Sequence, residues 1–268
     1  MADRHGLALA FGVDCLSFVL SAWTLSKVVP LKSAAAGQSS AAGQPVPPVQ
    51  PVQPVLRAVA EGIAMVWNDL PQRLCFCYWG IVALLVGGVM QVALPVLASD
   101  QLHGASTLGL MMASHGAGTL LGMAGAAVGG ARLRFASFGT LMLLIDALVG
   151  VLVMPLGAVQ AVWQAAVLML AIGVLAGFMQ INVFTWIQRR VPPHMMGRAM
   201  SIFMFVFMGL APLSAAVTGW ILRVVTLSQL FVGGGMILVT FAALAYMFTP
   251  IRAITSTTND TPAGTPAQ

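Results

Sequence analysis

Several separate apolar runs of roughly 20 residues limit what this chain can fold into more than any other feature. A run of that length, wound as an α-helix, crosses the ~30 Å hydrocarbon core of a lipid bilayer. Only 7% of the residues are charged, against about a quarter in an ordinary soluble domain. The sequence therefore excludes a soluble globular domain and predicts an all-α integral membrane protein.

About seven transmembrane helices are expected. The apolar runs lie at residues 7–28, 74–98, 106–130, 135–155, 161–187, 199–222 and 226–248. None of them alternates polar and apolar residues as a membrane β-barrel would, and unpaired strand backbone cannot face lipid. We take residues 1–28 as a first membrane helix and residues 74–248 as a six-helix unit.

Three segments outside the spans have different compositions. Residues 29–53 are rich in Ala, Gly, Ser and Gln and then in Pro, which predicts a disordered linker. Residues 54–73 repeat apolar side chains at helical spacing, which predicts an amphipathic helix either on the membrane surface or against the aqueous side of the bundle. Residues 249–268 are polar and predicted to be a disordered tail.

The basic residues indicate the orientation. Of the 12 Lys and Arg residues, two (Arg4 and Arg223) fall on one side of the predicted spans and all the others on the opposite side. By the positive-inside rule the linker and the C-terminus are cytoplasmic, and the N-terminus is outside. The net charge of +5 is spread over loops and forms no basic face, so we expect membrane lipid and no nucleic acid as a partner.

Polar residues inside the spans are the candidates for a substrate path or a coupling site. An ionisable group at mid-membrane costs ~2.5–3.5 kcal/mol even on insertion scales, so each one calls for a partner or a cavity. The candidates are Asp146, His115, Gln91, Asn182 and Gln180. Two ordinary structural roles stay open: Asp146 as a neutral side chain bonded to a neighbouring helix, and His115 as a packing residue bonded to a carbonyl.

Glycine spacing in the third apolar run predicts a helix-packing face. Gly118 and Gly122 form one GxxxG pair, and Gly125 and Gly129 form another. Such pairs let two helix backbones approach closely in a membrane.

Signals for an enzyme are missing from the sequence. Glu61 is the only glutamate, so no HExxH metal motif exists, and no phosphate-binding GxxxxGK[ST] motif is found. Cys75 and Cys77 form an isolated pair without further ligands, so neither a metal nor a cofactor is expected. Seven spans also fit a receptor. A retinal protein is excluded, because retinal is held by a lysine within a span and the only two lysines, Lys27 and Lys32, lie at or beyond the end of the first span.

Three segments resemble one known family. They are residues 10–25 (AFGVDCLSFVLSAWTL), 94–123 (LPVLASDQLHGASTLGLMMASHGAGTLLGM) and 188–221 (QRRVPPHMMGRAMSIFMFVFMGLAPLSAAVTGWI). The chain resembles the major facilitator superfamily, and in particular its bacterial branch of enterobactin exporters and transmembrane secretion effectors. The third segment, with its Arg-Arg-Val-Pro-Pro loop, is the most specific of the three.

The resemblance implies a fold and a position within it. The first span corresponds to the sixth helix of the family, the linker to its central cytoplasmic loop, and residues 74–248 to its C-terminal half. Arg189, Arg190 and Arg198 would belong to a cytoplasmic gating loop, with Gly197 permitting the turn into the next helix. The resemblance places the protein in the inner (plasma) membrane of a bacterium.

The function implied is secondary active efflux of small hydrophobic or amphipathic molecules by alternating access. A chain that lacks the first five helices is expected to be inactive alone. The alternatives are an interaction subunit that pairs with a separate N-terminal half or with a second copy of itself, and a seven-helix receptor.

Overall fold

The computed structural model describes residues 15–24, 26–27, 55–102, 104–129 and 137–254, and no strand occurs among them. The chain divides into a first unit, residues 1–53, and a second, residues 54–268. In the first unit a short apolar helix, α1, covers Cys15–Thr24, and the predicted linker lies outside the described residues. The all-α fold expected from the sequence is confirmed.

The second unit is a succession of long helices joined by short connections. They are α2 (Val55–Asn68), α3 (Leu70–Gln101), α4 (Ala105–Gly129), α5 (Phe138–Val153), α6 (Val162–Arg190), α7 (Met196–Ile221) and α8 (Leu227–Phe248). Single 3₁₀ turns at Met154–Ala158 and Pro250–Ala253 follow α5 and α8.

Five of the described helices are long and apolar enough to cross a membrane: α3, α5 with its 3₁₀ extension, α6, α7 and α8. Each coincides with a predicted span. Helix α4 has 25 residues and no charged side chain and nearly coincides with the predicted span 106–130, but it is not among these five. In the predicted span 7–28, only the ten-residue α1 and the turn after it are described.

Helices α4 and α6 pack with their backbones in direct contact. Gly118 and Gly122 on α4 lie against carbonyl groups of α6, while Gly173 and Gly177 on α6 lie against carbonyl groups of α4. A Cβ atom added at any of the four would overlap a carbonyl oxygen. Around Gly125, by contrast, a Cβ atom would meet nothing within 4 Å. The pair Gly118 and Gly122 therefore lies in a helix contact that only glycine permits.

Glycine contacts of the same kind join α5 to α8 and α3 to α7. Gly150 of α5 and Gly235 of α8 lie against each other's carbonyl groups, and α3 packs on α7 through Gly88. Close contacts of this kind suit a membrane protein, because lipid supplies no hydrophobic force that would push larger side chains together.

Ser214 of α7 is inserted into the hydrogen-bond ladder of α3. Its hydroxyl donates to the Leu84 carbonyl and accepts a 2.6 Å hydrogen bond from the Gly88 amide. These are the two backbone groups that would pair with each other in an uninterrupted α-helix. A wide π-type stretch, Val89–Ala93, begins directly afterwards, and Pro95 follows it. Helix α3 therefore departs from regular α geometry where α7 supports it.

Helix α7 carries a similar irregularity. A π-type stretch, Phe205–Gly209, precedes Pro212, which has no N–H group and leaves the Met208 carbonyl without its usual partner. Among the described helices, the paired α3 and α7 each have a wide turn and a proline in mid-course.

Helix α2 packs against the bundle on one side. Gly62 and Val66 are buried, and a Cβ atom added at Gly62 would lie 3.2 Å from Ile202 of α7. On the other side Ile63 and Trp67 are 50% and 57% exposed. The packing arrangement that the sequence allowed is therefore present, and an apolar face remains for a membrane surface.

Two predicted boundaries differ from the structure. The predicted surface helix 54–73 is divided, because α2 ends at Asn68 and the membrane helix α3 already begins at Leu70. The predicted tail 249–268 begins with an ordered turn, in which Ile251 and Ile254 are buried. The Gly139 amide donates to the Ile254 carbonyl, and Ser137 donates to the Arg252 carbonyl, so this turn docks on the start of α5.

Substituting Gly122 by Val should destabilise the protein, because the new side chain would overlap the backbone of α6. Overpacking of this kind costs about 1–3 kcal/mol where the surroundings can adjust, and more where a backbone is in the way. Gly125→Val is the matched control in the same helix. Thermal unfolding in detergent should show a lower midpoint for Gly122→Val alone; an equal loss in both variants would contradict the packing.

Candidate functional site

A buried polar pair lies between α3 and α5. The Tyr78 side chain on α3 is only 2% exposed, and its hydroxyl interacts with the half-buried Asp146 carboxyl on α5. The two groups face each other, and the Tyr78 hydroxyl has no hydrogen-bond partner in the described part of the chain. Sequence analysis expected a partner or a cavity for Asp146, and the structure places Tyr78 opposite it.

Apolar side chains surround this pair. The Tyr78 ring stacks on Phe241 of α8, with 5.2 Å between the ring centroids and 13° between the ring planes. Ile145, the neighbour of Asp146, belongs to the apolar cluster at this end of the bundle, and Val149 contacts both that cluster and a second one at the opposite end. Asp146 therefore lies one helical turn from the junction of the two apolar clusters.

His115 belongs to the contact between α4 and α6. Its carbonyl lies against Gly173 and accepts a 2.9 Å hydrogen bond from the Thr119 hydroxyl. The side chain is half-buried. The packing role that the sequence left open for this position is served by its backbone.

The three amide candidates lie apart from that pair. Asn182 uses its side-chain amide on its own helix, donating a 2.8 Å hydrogen bond to the Phe178 carbonyl. Gln180 on α6 and Gln91 on α3 are exposed at the surface of the unit. The five polar candidates are therefore distributed over four helices. Among the described residues no group of His, Cys, Asp and Glu is placed to hold a metal ion.

An ion pair links two helices at the cationic end of the bundle. Arg190, at the end of α6, binds the Asp69 carboxylate through two nitrogens, with Nε at 2.7 Å and a terminal nitrogen at 3.1 Å. Both side chains are partly buried, at 15% and 29% exposure. The Arg190 guanidinium also lies 5.7 Å from the centre of the Trp186 ring. This pair joins the start of α3 to the end of α6.

The resemblance assigns the basic residues of this loop to a cytoplasmic gate, and in the structure one of them, Arg190, binds an acid of this chain. Arg189 is exposed beside it, and Arg198 on α7 lies next to Gly62 of α2. Gly197 lies in the first turn of α7, where a Cβ atom would meet nothing within 4 Å, so the turn does not require glycine there.

Sequence reasoning missed two of the residues that matter most here. Tyr78 is one of two tyrosines in the chain, and a tyrosine within a membrane span is itself a signal, because its hydroxyl needs a partner. Asp69 was counted as part of the surface helix. Its position directly before Leu70-Pro71 at the start of a helix was the available signal.

Comparison with known protein families matches residues 1–216, of the 268 in the chain, to the Major Facilitator Superfamily. No curated protein and no solved structure matches the chain.

A double-mutant cycle on Asp69→Asn and Arg190→Gln should give a coupling free energy of about 0.5–3 kcal/mol, because the ion pair is partly buried and doubly hydrogen-bonded. Arg189→Gln removes a neighbouring exposed cation and is the control. Chemical or thermal unfolding in detergent measures all four states. A coupling energy indistinguishable from zero would show that the pair does not hold α3 to α6.

Proposed function

The chain belongs to the Major Facilitator Superfamily, whose members are membrane transporters, and on that premise we propose that it takes part in secondary active export of small hydrophobic or amphipathic molecules. The family membership is the observation that carries the proposal. The resemblance of residues 10–25, 94–123 and 188–221 to the enterobactin-exporter branch supplies the direction of transport and the class of substrate. The lack of a nucleotide-binding motif in the sequence supports a gradient as the energy source.

Helix α7 supports the class of substrate. It is the most exposed of the five spans: 11% of its apolar 18-residue stretch is buried, against 33–50% of the corresponding stretch in the other four. Its π-type stretch presents Phe205 and Met208, each 69% exposed, next to Met204 at 47%. Methionine and phenylalanine make an adaptable apolar surface that accepts molecules of different shapes. We assign this surface of α7 to the substrate path.

The same exposure supports a working unit larger than the described helices. Substrate sites in transporters of repeated architecture lie between two halves, where the two sets of helices face each other. We propose that the helices of this chain supply one half of such a site and that a second set of helices supplies the other. The C-terminal end of α6, at Arg190, and the turn after α8, with Arg252, would face the cytoplasm of a bacterial cell.

Transport assays test the half-transporter proposal and the export function separately. Purified chain in liposomes should move no lipophilic cationic dye above protein-free liposomes, because one half cannot enclose a substrate. Everted membrane vesicles from the native cell, overproducing the chain, should accumulate the dye when energised. Gradient-driven flux by the purified chain would overturn the half-transporter proposal, and vesicles without added flux would overturn the export function.

Two methionines offer a matched pair of variants for the same assay. Met208 on α7 and Met247 on α8 are 69% and 67% exposed, and both change to Ala with the same loss of side chain. Met208→Ala should alter the KM for the dye, whereas Met247→Ala should leave it unchanged. Equal effects would exclude a special role of the α7 surface.

A further inference from the structure

We infer that Asp146 and Tyr78 form a proton-binding site between α3 and α5, in which Asp146 rests as the neutral carboxylic acid. The chain has seven acidic residues, and among those that the structure describes Asp146 is the one in mid-span. As a coupling site this pair rests on the proposed transport function. As a proton-binding site it does not.

The surroundings of Asp146 favour the neutral form. In the described part of the chain Tyr78 is the only titratable side chain that interacts with it, and no Lys or Arg does. The flanking stretch of α5, Leu141–Ile145, is apolar and mostly buried, as is Ala242 of α8. The nearest ion pair to Tyr78 along α3 is Asp69–Arg190, whose two charges already bind each other. A carboxylate at this place would have no cation to offset its charge.

The Tyr78 hydroxyl can interact with Asp146 both as a carboxylate and as a carboxylic acid. Its ring is fixed by stacking on Phe241 of α8, so the hydroxyl is held toward α5. A phenol can donate a hydrogen bond to a carboxylate and can accept one from a carboxylic acid. That hydroxyl has no other partner among the described residues, which leaves it available to Asp146 in either state.

The chemistry is a single proton transfer. Asp146 as COOH releases its proton to water when a shift of α3 against α5 admits water while Tyr78 stays within reach, and the carboxylate that remains accepts a hydrogen bond from Tyr78. Rebinding the proton restores the neutral acid and the apolar contact. Protonation would in this way be tied to the relative position of the two helices, which belong to different pairs, α3 with α7 and α5 with α8.

Infrared spectroscopy of the full chain in lipid tests the site without any transport assay. Near neutral pH exposed carboxyl groups are ionised, so a carboxylic-acid C=O band reports a protected acid. We expect the band in the unmodified chain, its loss in Asp146→Asn, and its survival in Asp100→Asn, which removes an exposed carboxyl at the end of α3. Tyr78→Phe should shift the band, because it removes the polar group that faces the Asp146 carboxyl.

Other infrared results would contradict the proton-binding site or the role of Tyr78 in it. A spectrum without the band, or a band that survives Asp146→Asn, would overturn the site. An unshifted band in Tyr78→Phe would remove Tyr78 from it, and this variant keeps the test valid should Asp146→Asn not fold. In the energised vesicles Asp146→Asn should lose dye accumulation but keep exchange of dye between the two sides. Unchanged accumulation would overturn the coupling role and leave the proton site intact.

Discussion

Lipid offers no hydrogen-bond partner to a peptide group, and the described architecture follows from that constraint. Each span must pair its backbone groups within itself, so the chain forms helices. Lipid tails are also as apolar as leucine, so these helices associate through close packing between backbones. Three helix contacts use glycine to bring backbones together: Gly118 and Gly122 against α6, Gly150 against Gly235, and Gly88 against α7. The three helix pairs of the bundle are built on these contacts.

Two polar groups inside this bundle face a partner on another helix. The Ser214 hydroxyl pairs with the two backbone groups of α3 that do not pair with each other, and Tyr78 faces Asp146. The ionic pair Asp69–Arg190 lies at the end of the bundle, where charge costs less. The two kinds of polar contact have different consequences. Ser214 and Arg190 hold helices together, whereas a lone acid opposite a phenol can change its state by taking or losing a proton.

The sequence predicted the fold class and five of the spans to within a few residues, because length and hydropathy alone determine a membrane helix. It also predicted a packing face with Gly118 and Gly122, and it predicted a partner or a cavity for Asp146. It could not separate Gly122 from Gly125, since the GxxxG spacing is the same and only the position of α6 distinguishes them. Partners across helices were equally out of reach: Tyr78 is 68 residues before Asp146, and Asp69 is 121 residues before Arg190. Such pairs depend on which helices become neighbours.

Thiol labelling in intact cells tests the central claim, that the chain spans the membrane with its basic helix ends in the cytoplasm, most directly. With the three native cysteines replaced, a membrane-impermeant reagent should label Val224→Cys in the turn between α7 and α8. Ala253→Cys, exposed just after α8, should react only once the membrane is opened. Labelling of both positions in intact cells, or of Ala253→Cys alone, would contradict the account.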